Sequence, residues 1–444
     1  MDDNRRAVTE KGPEKKIVSI HRLTETRVPA REETVILACD VAMEWITVYS
    51  EMGGEKRFRK TANTTAAIKR FLMNQLVEAV QSGATEIMVV AEPTGCYHET
   101  LMRMAGRLGM QTAWVSGEAV AKFRVIESND TGKTDEKDPR VIHSLSKLKK
   151  TLKHRILEGP YELLRDWNKI YDDANLGVVR AKTAIHSVLK RLFPDFGFGS
   201  DFLFGRTGQA LVRGYGANPY RMVRAGEKRM AKKLKTMAPR IRKDDIKRLY
   251  DNANKSVDNK LDARLVRLLE YQLGQQWADW QRYHQRKLEA RKKMQQLYAE
   301  ARQQDPHLPQ GVKGVISDFS LARIVGETGP LSDFSHWRQI LRFAGFNIRE
   351  RKSGRYRGLN KISKKGRSEL RAIMSKTVLR LVKKKALFGS YYHGKKDGRK
   401  ERNGIAMTAV CRKMLKLLWG WYRSASAFDE TRVFNCENQM KKAA

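Results

Sequence analysis

The stretch TVILACDV, residues 34–41, decides the fold of this chain. It is an apolar run without Gly or Pro, and runs of this kind are typical of strands buried on both faces of a sheet. The stretch WITVY, residues 45–49, follows after a short connection and predicts a second strand beside the first. Gly53 and Gly54 then make a turn into a third strand over residues 55–60. The first globular region therefore begins with an antiparallel sheet.

Strands and helices alternate after this hairpin. An amphipathic helix over residues 63–81 leads to the apolar run EIMVVA, residues 86–91, which predicts a fourth strand. A helix over 98–108, a strand over 111–115 and a helix over 138–150 complete the pattern. A mixed sheet that starts with a hairpin and continues with βα units is similar to the ribonuclease H-like fold. The predicted fold class is α/β plus α, with a RuvC-like (ribonuclease H-like) first domain.

The rest of the chain is predicted to be mostly helical. Residues 163–192 form one amphipathic stretch that Pro194 stops, and residues 196–216 are rich in Gly and Phe, which predicts an insertion with loops. Apolar residues at steps of mostly three and four over 261–298 fit either a coiled-coil or antiparallel seam, or an ordinary bundle helix. The predicted domains are a flexible basic arm at 1–33, the RuvC-like domain at 34–150, a helical, coiled-coil-like middle at 151–304, a mostly helical C-terminal domain at 305–430 and a tail at 431–444.

The charge of the chain indicates a polyanionic partner. The formal net charge is +39, and the isoelectric point is about 10.2. Lys and Arg neutralise phosphates and release condensed counterions, which gives strong, salt-sensitive affinity for nucleic acid. The 41% of hydrophobic residues excludes a mainly disordered chain.

The cysteines and the hydropathy pattern indicate a reduced, cytoplasmic setting. Cys39, Cys96, Cys411 and Cys436 have neither the spacing of metal ligands nor that of a disulfide framework. No early stretch has the pattern of a signal peptide, and no run has the length that a bilayer requires. We therefore expect a reduced, cytoplasmic protein with no membrane partner.

Four carboxylates form a predicted metal site. Asp40 and Glu92 end the first and fourth predicted strands, and Asp135 and Asp138 lie in the segment KTDEKDP. In a chain with 88 Lys and Arg against 49 Asp and Glu, acids at strand ends predict Mg²⁺, which takes a few carboxylates and leaves positions for a phosphate. Asp138 could instead be the N-cap of a helix that has Pro139 at its first position.

These acids lie in motifs that resemble the Asp-Glu-Asp-Asp set of bacterial insertion-sequence recombinases. The motifs are LACDVA at residues 37–42, VAEPTG at 90–95 and KTDEKD at 133–138. In the last third of the chain, FAGF at 343–346, RKSG at 351–354 and ISKKGRSELR at 362–371 are similar to the second signature of the same family. The chain therefore resembles DEDD-type transposases with a C-terminal catalytic serine, which are bridge-RNA-guided recombinases.

The resemblance implies a mechanism and a set of partners. Ser353 would attack a DNA phosphate and form a covalent phosphoserine link, with Mg²⁺ on the four acids. A structured non-coding guide RNA would pair with donor and target DNA. The enzyme would be a homotetramer, a dimer of dimers, in which the acids of one protomer meet the serine of another.

The residues around Ser353 are consistent with this chemistry. A serine hydroxyl is a weak nucleophile until a base, a metal or a neighbouring cation activates it, and cations can hold a phosphate in the transition state. Gly354 would let the backbone approach DNA. The residues predicted to bind nucleic acid are Arg351, Lys352, Gly354, Arg355, Arg357, Lys361, Lys364, Lys365 and Arg371.

Several alternatives stay open at this point. One is a metal-dependent nuclease similar to a Holliday-junction resolvase, in which water attacks and Ser353 is incidental. Another is a basic RNA-binding or architectural protein with a decayed catalytic domain. Ser363 is a second candidate nucleophile, although we expect it to cap a helix that begins at Lys364. The turn GVKG, residues 311–314, resembles a helix-hairpin-helix element whose N–H groups would face a phosphate.

Overall fold

The structure is a computed structural model and describes residues 34–93, 95–128, 137–349, 352–353, 356–358, 361–431 and 433–434. These residues form two compact units. The sheet unit contains the described residues up to Glu158 together with Pro330–Gly366, and the helical unit contains Gly159–Gly329 and the described residues from Arg367 onward. The predicted C-terminal domain at 305–430 therefore contributes residues to both units. The predicted arm at 1–33 lies outside the described residues.

A six-stranded mixed sheet forms the centre of the sheet unit. Its strands are β1 (Thr34–Val41), β2 (Trp45–Met52), β3 (Glu55–Ala62), β4 (Glu86–Ala91), β5 (Gln111–Trp114) and β6 (Leu152–Lys153). They lie in the order β3-β2-β1-β4-β5-β6. The pairs β1–β2 and β2–β3 are antiparallel, β1–β4 and β4–β5 are parallel, and β6 pairs antiparallel at the edge.

Helices cover both faces of this sheet. They are α1 (Thr65–Gln81), α2 (Glu99–Arg107), α3 (Gly117–Ser128) and α4 (Lys137–Lys147). Successive residues of β1 point to opposite faces, so that Leu37 shares a core with α1 and α2, and Ala38 shares one with α3 and α4. Both residues are fully buried. β1 is therefore buried on both faces, as its uninterrupted apolar run predicts.

Two long antiparallel helices form the frame of the helical unit. The helices of this region are α5 (Pro160–Leu192), α6 (Ser200–Leu203), α7 (Arg206–Tyr215), α8 (Pro219–Ala225), α9 (Glu227–Met237), α10 (Lys243–Val257) and α11 (Ala263–Gln304). Lys287 lies over the ring of Tyr171, and Tyr283 lies against Gly177, so that α5 and α11 run in opposite directions. A Cβ at Gly177 would overlap the ring of Tyr283, so glycine permits the close approach. The apolar seam of α11 therefore belongs to an antiparallel helix pair.

Residues 196–216 are mostly helical, although their glycines suggest loops. Gly208 of α7 lies against the backbone of Leu203 in α6, where a Cβ would clash. Leu203 and Leu211 are buried in a core that also includes Trp277 of α11. The glycines here serve close packing between short helices.

The last elements divide between the two units. They are α12 (Asp318–Thr328), α13 (Trp337–Phe343), β7 (Ile348–Arg349), β8 (Lys352–Ser353), β9 (Tyr356–Arg357), β10 (Lys361–Ile362), α14 (Ser368–Val378), α15 (Gly389–Lys396) and α16 (Asn403–Ser424). Of these, α13 and the four short strands belong to the sheet unit. The predicted fold class, α/β plus α with an N-terminal sheet domain, is confirmed. No helix of the described residues is long and apolar enough to cross a membrane.

Candidate active site

Asp40 and Glu92 lie at the same edge of the sheet. In the parallel pair of β1 and β4, the last paired residues are Cys39 and Ala91, and Asp40 and Glu92 come next on their strands. Both acids are half-buried. Crevices at the carboxyl ends of parallel strands are where open α/β sheets bind ligands. Backbone pairing alone therefore brings two of the predicted acids together.

The helix α3 begins beside Glu92. Its first residue, Gly117, lies so close to Glu92 that a Cβ at this position would overlap Oε1 of the carboxylate. The N-terminus of a helix carries a partial positive charge, which stabilises an ionised carboxylate. Glycine leaves this space for the carboxylate, and a larger residue would require the end of the Glu92 side chain to shift.

Asp138 is buried in the first turn of α4, and its side chain pairs with Arg124 of α3. The guanidinium Nε of Arg124 donates to Oδ1 of Asp138 over 2.9 Å, and Nη2 donates to the same oxygen over 2.5 Å. Asp138 is 4% exposed. Because α4 begins at Lys137, Asp138 lies inside the helix, and the alternative in which it is the N-cap is wrong.

The donors at the strand ends fit Mg²⁺ in an open site. This ion is commonly held by one or two carboxylates, with water and a substrate phosphate at its other positions. Asp40 and Glu92 supply such oxygens. Among the residues that the structure describes, no three His, Cys, Asp or Glu side chains group as a closed metal cage. Asp135 lies outside the described residues. Asp138 is described, but it does not form a group of three ligands with Asp40 and Glu92, and its Oδ1 accepts from Arg124.

Cys39 and His143 are buried in the sheet unit and are part of its packed interior. Burial raises the pKa of the Cys39 thiol far above its ordinary value, and the neighbouring Asp40 raises it further. Burial also lowers the pKa of His143 to about 4, and the ring packs edge-on against Tyr49 with 5.0 Å between centroids. Both side chains are therefore neutral at pH 7.

Ser353 lies near the end of a β-hairpin in the sheet unit. In the outer pair, β7 and β10, Ile348 faces Ile362. In the inner pair, β8 and β9, Ser353 faces Tyr356, with residues 354 and 355 between them. The segment that the sequence singles out is therefore a narrow hairpin with Ser353 on its inner pair.

Ser363 closes the base of this hairpin. Its Oγ donates to Oδ1 of Asn347 over 2.5 Å and accepts from the backbone N–H of Lys365 over 3.3 Å. The next helix, α14, begins only at Ser368 with Arg367 as its N-cap. The prediction that Ser363 caps a helix at Lys364 is therefore wrong, because its hydroxyl is used to join the two strands.

Two basic side chains join the segment Pro330–Gly366 to the rest of the sheet unit. Arg155, which follows β6, pairs with Asp333 and lies 5.0 Å from the ring centroid of Phe334. Lys365 pairs with Glu118 over 2.7 Å. Glu118 follows Gly117 directly, so this ion pair links the hairpin to the turn of α3 that contacts Glu92. The exposed Glu118 carboxylate has a pKa lowered to about 2 by the hydrogen bonds that it accepts from Lys122 and Lys365.

The other residues predicted to bind nucleic acid are only partly described. Lys361 is paired with Arg349 in the hairpin, and Lys364 has a left-handed backbone with φ of 54°. Arg371 lies on α14 of the helical unit. The backbones of Lys352 and Arg357 lie in β8 and β9. The residues that lie outside the described part are Arg351, Gly354 and Arg355.

The turn before α12 uses its own backbone N–H groups. Gly311 donates its N–H to Oδ1 of Asp318 over 2.7 Å, and Val312 donates to the carbonyl of Ile316 over 2.8 Å. A Cβ at Gly311 would lie 2.6 Å from the backbone nitrogen of Asp318. These two groups are therefore occupied within the turn and do not face a phosphate, which corrects that part of the prediction.

Two family models match the chain over these regions. A model described as transposase, of the DEDD type of IS110, matches residues 40–194. A second, described as transposase IS116/IS110/IS902 family, matches residues 312–393. Together they cover more than half of the 444 residues. The chain belongs to the IS110 family of transposases.

This IS110-family transposase is an enzyme of an insertion sequence that cleaves and recombines DNA. The predicted family and enzyme class are thus confirmed. Comparison with curated proteins gives no match. The first matched range includes all four predicted acids, and the second includes Ser353.

Three residues of this transposase are missed by reasoning from the sequence. They are Gly117, which gives Glu92 its space, Arg124, which holds Asp138, and Glu118, which pairs with Lys365. The sequence Ser-Gly-Glu at 116–118 is a weak helix-start signal that could have indicated α3. Nothing in the sequence distinguishes Arg124 from the other basic residues.

Proposed function

We propose that this transposase is an RNA-guided DNA recombinase that exchanges donor and target strands through a covalent phosphoserine at Ser353. The acids Asp40, Glu92, Asp135 and Asp138 would hold Mg²⁺ and assist the step. The observation that carries the proposal is the adjacent position of Asp40 and Glu92 at the ends of β1 and β4. A second observation supports it, because the hairpin with Ser353 lies in the same compact unit as these acids.

The proposed cleavage step replaces one ester bond of the DNA phosphate with an ester bond to Ser353. The Oγ of Ser353 bonds to the phosphorus of one DNA strand as the bond from phosphorus to a deoxyribose oxygen breaks. The hydroxyl proton of Ser353 passes to a base, and the leaving oxygen takes up a proton. Attack by a hydroxyl of the other DNA then reverses the step and releases Ser353. No external energy source is needed, because each bond that breaks is replaced by one of the same kind.

The strand-end acids and the hairpin cations have separate tasks in this step. Mg²⁺, when bound, would neutralise the charge that develops on the phosphate and its leaving oxygen. Asp40 and Glu92 hold their carboxylates at a rigid edge, because their backbones continue the paired strands β1 and β4. The pair of Lys365 and Glu118 would orient the hairpin base relative to α3. The cations around Ser353 would hold the DNA backbone.

Guide RNA and a tetramer are part of the same proposal. A protein with a net charge of +39 can bind long phosphate backbones without reading their bases. Sequence choice would then come from base pairing between the RNA and both DNAs. In a dimer of dimers, the hairpin of one protomer would meet acids of another, or of the same chain, at each strand.

The test is a denaturing gel that detects protein covalently attached to labelled donor or target DNA. Protein purified with its own RNA is incubated with Mg²⁺, as wild type, Ser353→Ala and Asp40→Asn. We expect an adduct with the wild type, and none with either variant or after the RNA is removed. Ser363→Ala is the matched control, because it removes a nearby serine that is not the proposed nucleophile. We expect this variant still to form the adduct.

Other results of this gel would contradict the proposal. Cleavage without an adduct, abolished by Asp40→Asn but retained by Ser353→Ala, would indicate a metal-dependent nuclease similar to a junction resolvase. An adduct that survives Ser353→Ala but disappears in Ser363→Ala would move the nucleophile to Ser363. DNA binding without any cleavage in the wild type would favour an architectural protein.

A further inference from the structure

Four helices of the helical unit bring five cations to one place. Lys182 lies on α5, Lys287 and Arg291 on α11, Arg323 on α12 and Lys376 on α14. We call these five residues the seam cluster. Lys182 and Lys287 are half-buried, and Arg291 and Lys376 are exposed, so that a ligand can reach the cluster from solvent.

Two aromatic rings hold part of the seam cluster. The rings of Tyr171 and Phe319 meet edge to face with 5.0 Å between centroids. Arg323 lies 4.8 Å and Lys287 5.7 Å from the centroid of Tyr171. Arg291 lies 5.0 Å from that of Phe319. Each contact is a cation–π interaction that keeps a long side chain in place and offsets part of the repulsion among the cations.

One carboxylate, Asp172, pairs with the seam cluster. Its Oδ2 accepts from Arg323 over 2.5 Å, and its Oδ1 lies 3.8 Å from Lys376. Within the described part of the chain, Lys182, Lys287 and Arg291 have no carboxylate partner. Burial lowers the pKa of Lys287, and the charged neighbours that lower it further are Lys182, Arg291, Lys376 and Arg323.

Cations on an ordinary solvated face separate from one another, because like charges repel. The seam cluster does not allow this separation. Arg323 is 6% exposed and is also bound to Oδ1 of Asn168 over 3.0 Å, so it cannot move away. Lys287 of α11 is half-buried beside the ring of Tyr171 on α5. Lys182 lies 4.4 Å from the ring centroid of Phe204. Because the excess of positive charge cannot spread out, the seam cluster favours the binding of an anion.

We propose that the seam cluster binds a phosphodiester of a nucleic-acid backbone. Phosphate is the anion that the enzyme meets on its substrate, and several Lys and Arg side chains can contact its oxygens at once. The site combines α5 of the first family-matched range with α12 and α14 of the second. Its fourth helix, α11, lies outside both ranges. All five residues belong to the helical unit, whereas Ser353 and the described acids belong to the sheet unit. The site would therefore bind a backbone segment with residues other than those of the proposed reaction.

The test compares matched pairs of lysines in the full-length protein. The cluster variant is Lys287→Gln with Lys376→Gln. The control variant is Lys292→Gln with Lys293→Gln, which removes the same charge from exposed positions of α11. Fluorescence anisotropy measures binding of a hairpin RNA and of a duplex DNA of equal length over a series of KCl concentrations.

We expect the cluster variant to lose about tenfold in affinity at 0.15 M KCl for at least one of the two nucleic acids. The slope of log K against log[KCl] should become shallower by about one for each phosphate contact removed. Loss for RNA alone assigns the site to an RNA backbone, and loss for duplex DNA alone assigns it to DNA. Equal losses in the cluster and control variants would overturn the proposal.

Thermal stability gives an independent readout. Removing a repelled charge should raise the midpoint of unfolding of the free Lys287→Gln protein by about 1–3 °C. Inorganic phosphate at constant ionic strength should raise the midpoint of the wild type more than that of Lys287→Gln. A lower midpoint for Lys287→Gln with unchanged phosphate response would mean that Lys287 is structural, and the proposal would fail.

Discussion

Carboxylates at the edge of the sheet and in the helical core have opposite surroundings. Glu327 of α12 is 2% exposed, and its Oε2 accepts from Nε and Nη2 of Arg367 over 3.0 and 2.8 Å. Its Oε1 accepts from Asn168 over 3.3 Å. Asp40 and Glu92 instead end strands at a half-exposed edge. The first acid joins helices, and the other two are the acids that we propose to hold Mg²⁺.

The difference shows how a strongly basic protein can use its few acids. A buried carboxylate must have its oxygens bonded, because an unpaired buried charge is costly. Glu327 meets this requirement with partners from α5 and α14. Asp40 and Glu92 are positioned by the pairing of β1 with β4, and both are half-buried instead of fully buried. The comparison predicts that mutations will separate stability from activity.

The largest expected effect is on the stability of the helical unit. Glu327→Ala removes the carboxylate that accepts from Arg367 and one of the two acceptors of Asn168, and it should lower the free energy of unfolding by about 3–5 kcal/mol. Chemical denaturation with segment-resolved hydrogen exchange measures this. Glu300→Ala, at an exposed position of α11, is the control and should change stability by less than about 0.5 kcal/mol. Similar values for the two variants would contradict the structural role of Glu327.

The next effect is on the reaction. Glu92→Gln keeps the shape of the side chain but removes its charge, and should lower the rate of DNA cleavage by about 10³-fold. This corresponds to about 4 kcal/mol in the barrier. The unfolding midpoint should stay within about 2 °C of the wild type. A large loss of stability with cleavage retained would reverse the comparison between Glu92 and Glu327.

Acid should affect the sheet unit through its buried histidines. Burial lowers the pKa of His143 and of His154 to about 4, below the ordinary value near 6.5. Between these values the unfolded chain binds protons that the folded chain does not, so stability falls as the pH falls from 6.5 to 4. The loss should reach up to about 3 kcal/mol for each histidine.

Hydrogen exchange at pH 7 and pH 5 checks this prediction. Rates are divided by the intrinsic exchange rate, which is itself lower at pH 5. Protection should then fall in α4 and β6 more than in α12, and His143→Gln should remove part of this pH dependence. Above pH 4.5 the carboxylates contribute little, so that the window isolates the histidines. An equal fall in protection in both units would contradict the assignment.

The smallest expected effect tests the space beside Glu92. Gly117→Ala places a Cβ where Oε1 of Glu92 lies, so the carboxylate must move. Cleavage should fall by about 10- to 100-fold, because small displacements of catalytic groups are costly. Gly274→Ala is the matched control, since open space surrounds that helical glycine, and it should stabilise α11 by up to about 1 kcal/mol. Unchanged cleavage in Gly117→Ala would show that Glu92 tolerates another position.

Much of the sheet unit could be predicted because its signals are local. The run from Thr34 to Val41 is apolar since both of its faces are buried, and the strand assignments at 45–49, 55–60 and 86–91 were correct for the same kind of reason. The helix α3 was missed. Its apolar residues do not form one stripe, and Val125 and Ile126 are 45% and 75% exposed. Periodicity cannot identify a helix whose apolar residues also face solvent.

The sequence by itself determined the strands, the long helices, the basic character and the acids at strand ends. Each of these features is visible from residues that lie close together in the sequence. Only the tertiary structure decided that Arg124 holds Asp138, that Gly117 makes room for Glu92, and that Pro330–Gly366 packs with the sheet. It also decided which cations form the seam cluster. These contacts depend on which faces pack together, and packing among many basic residues leaves no local signal.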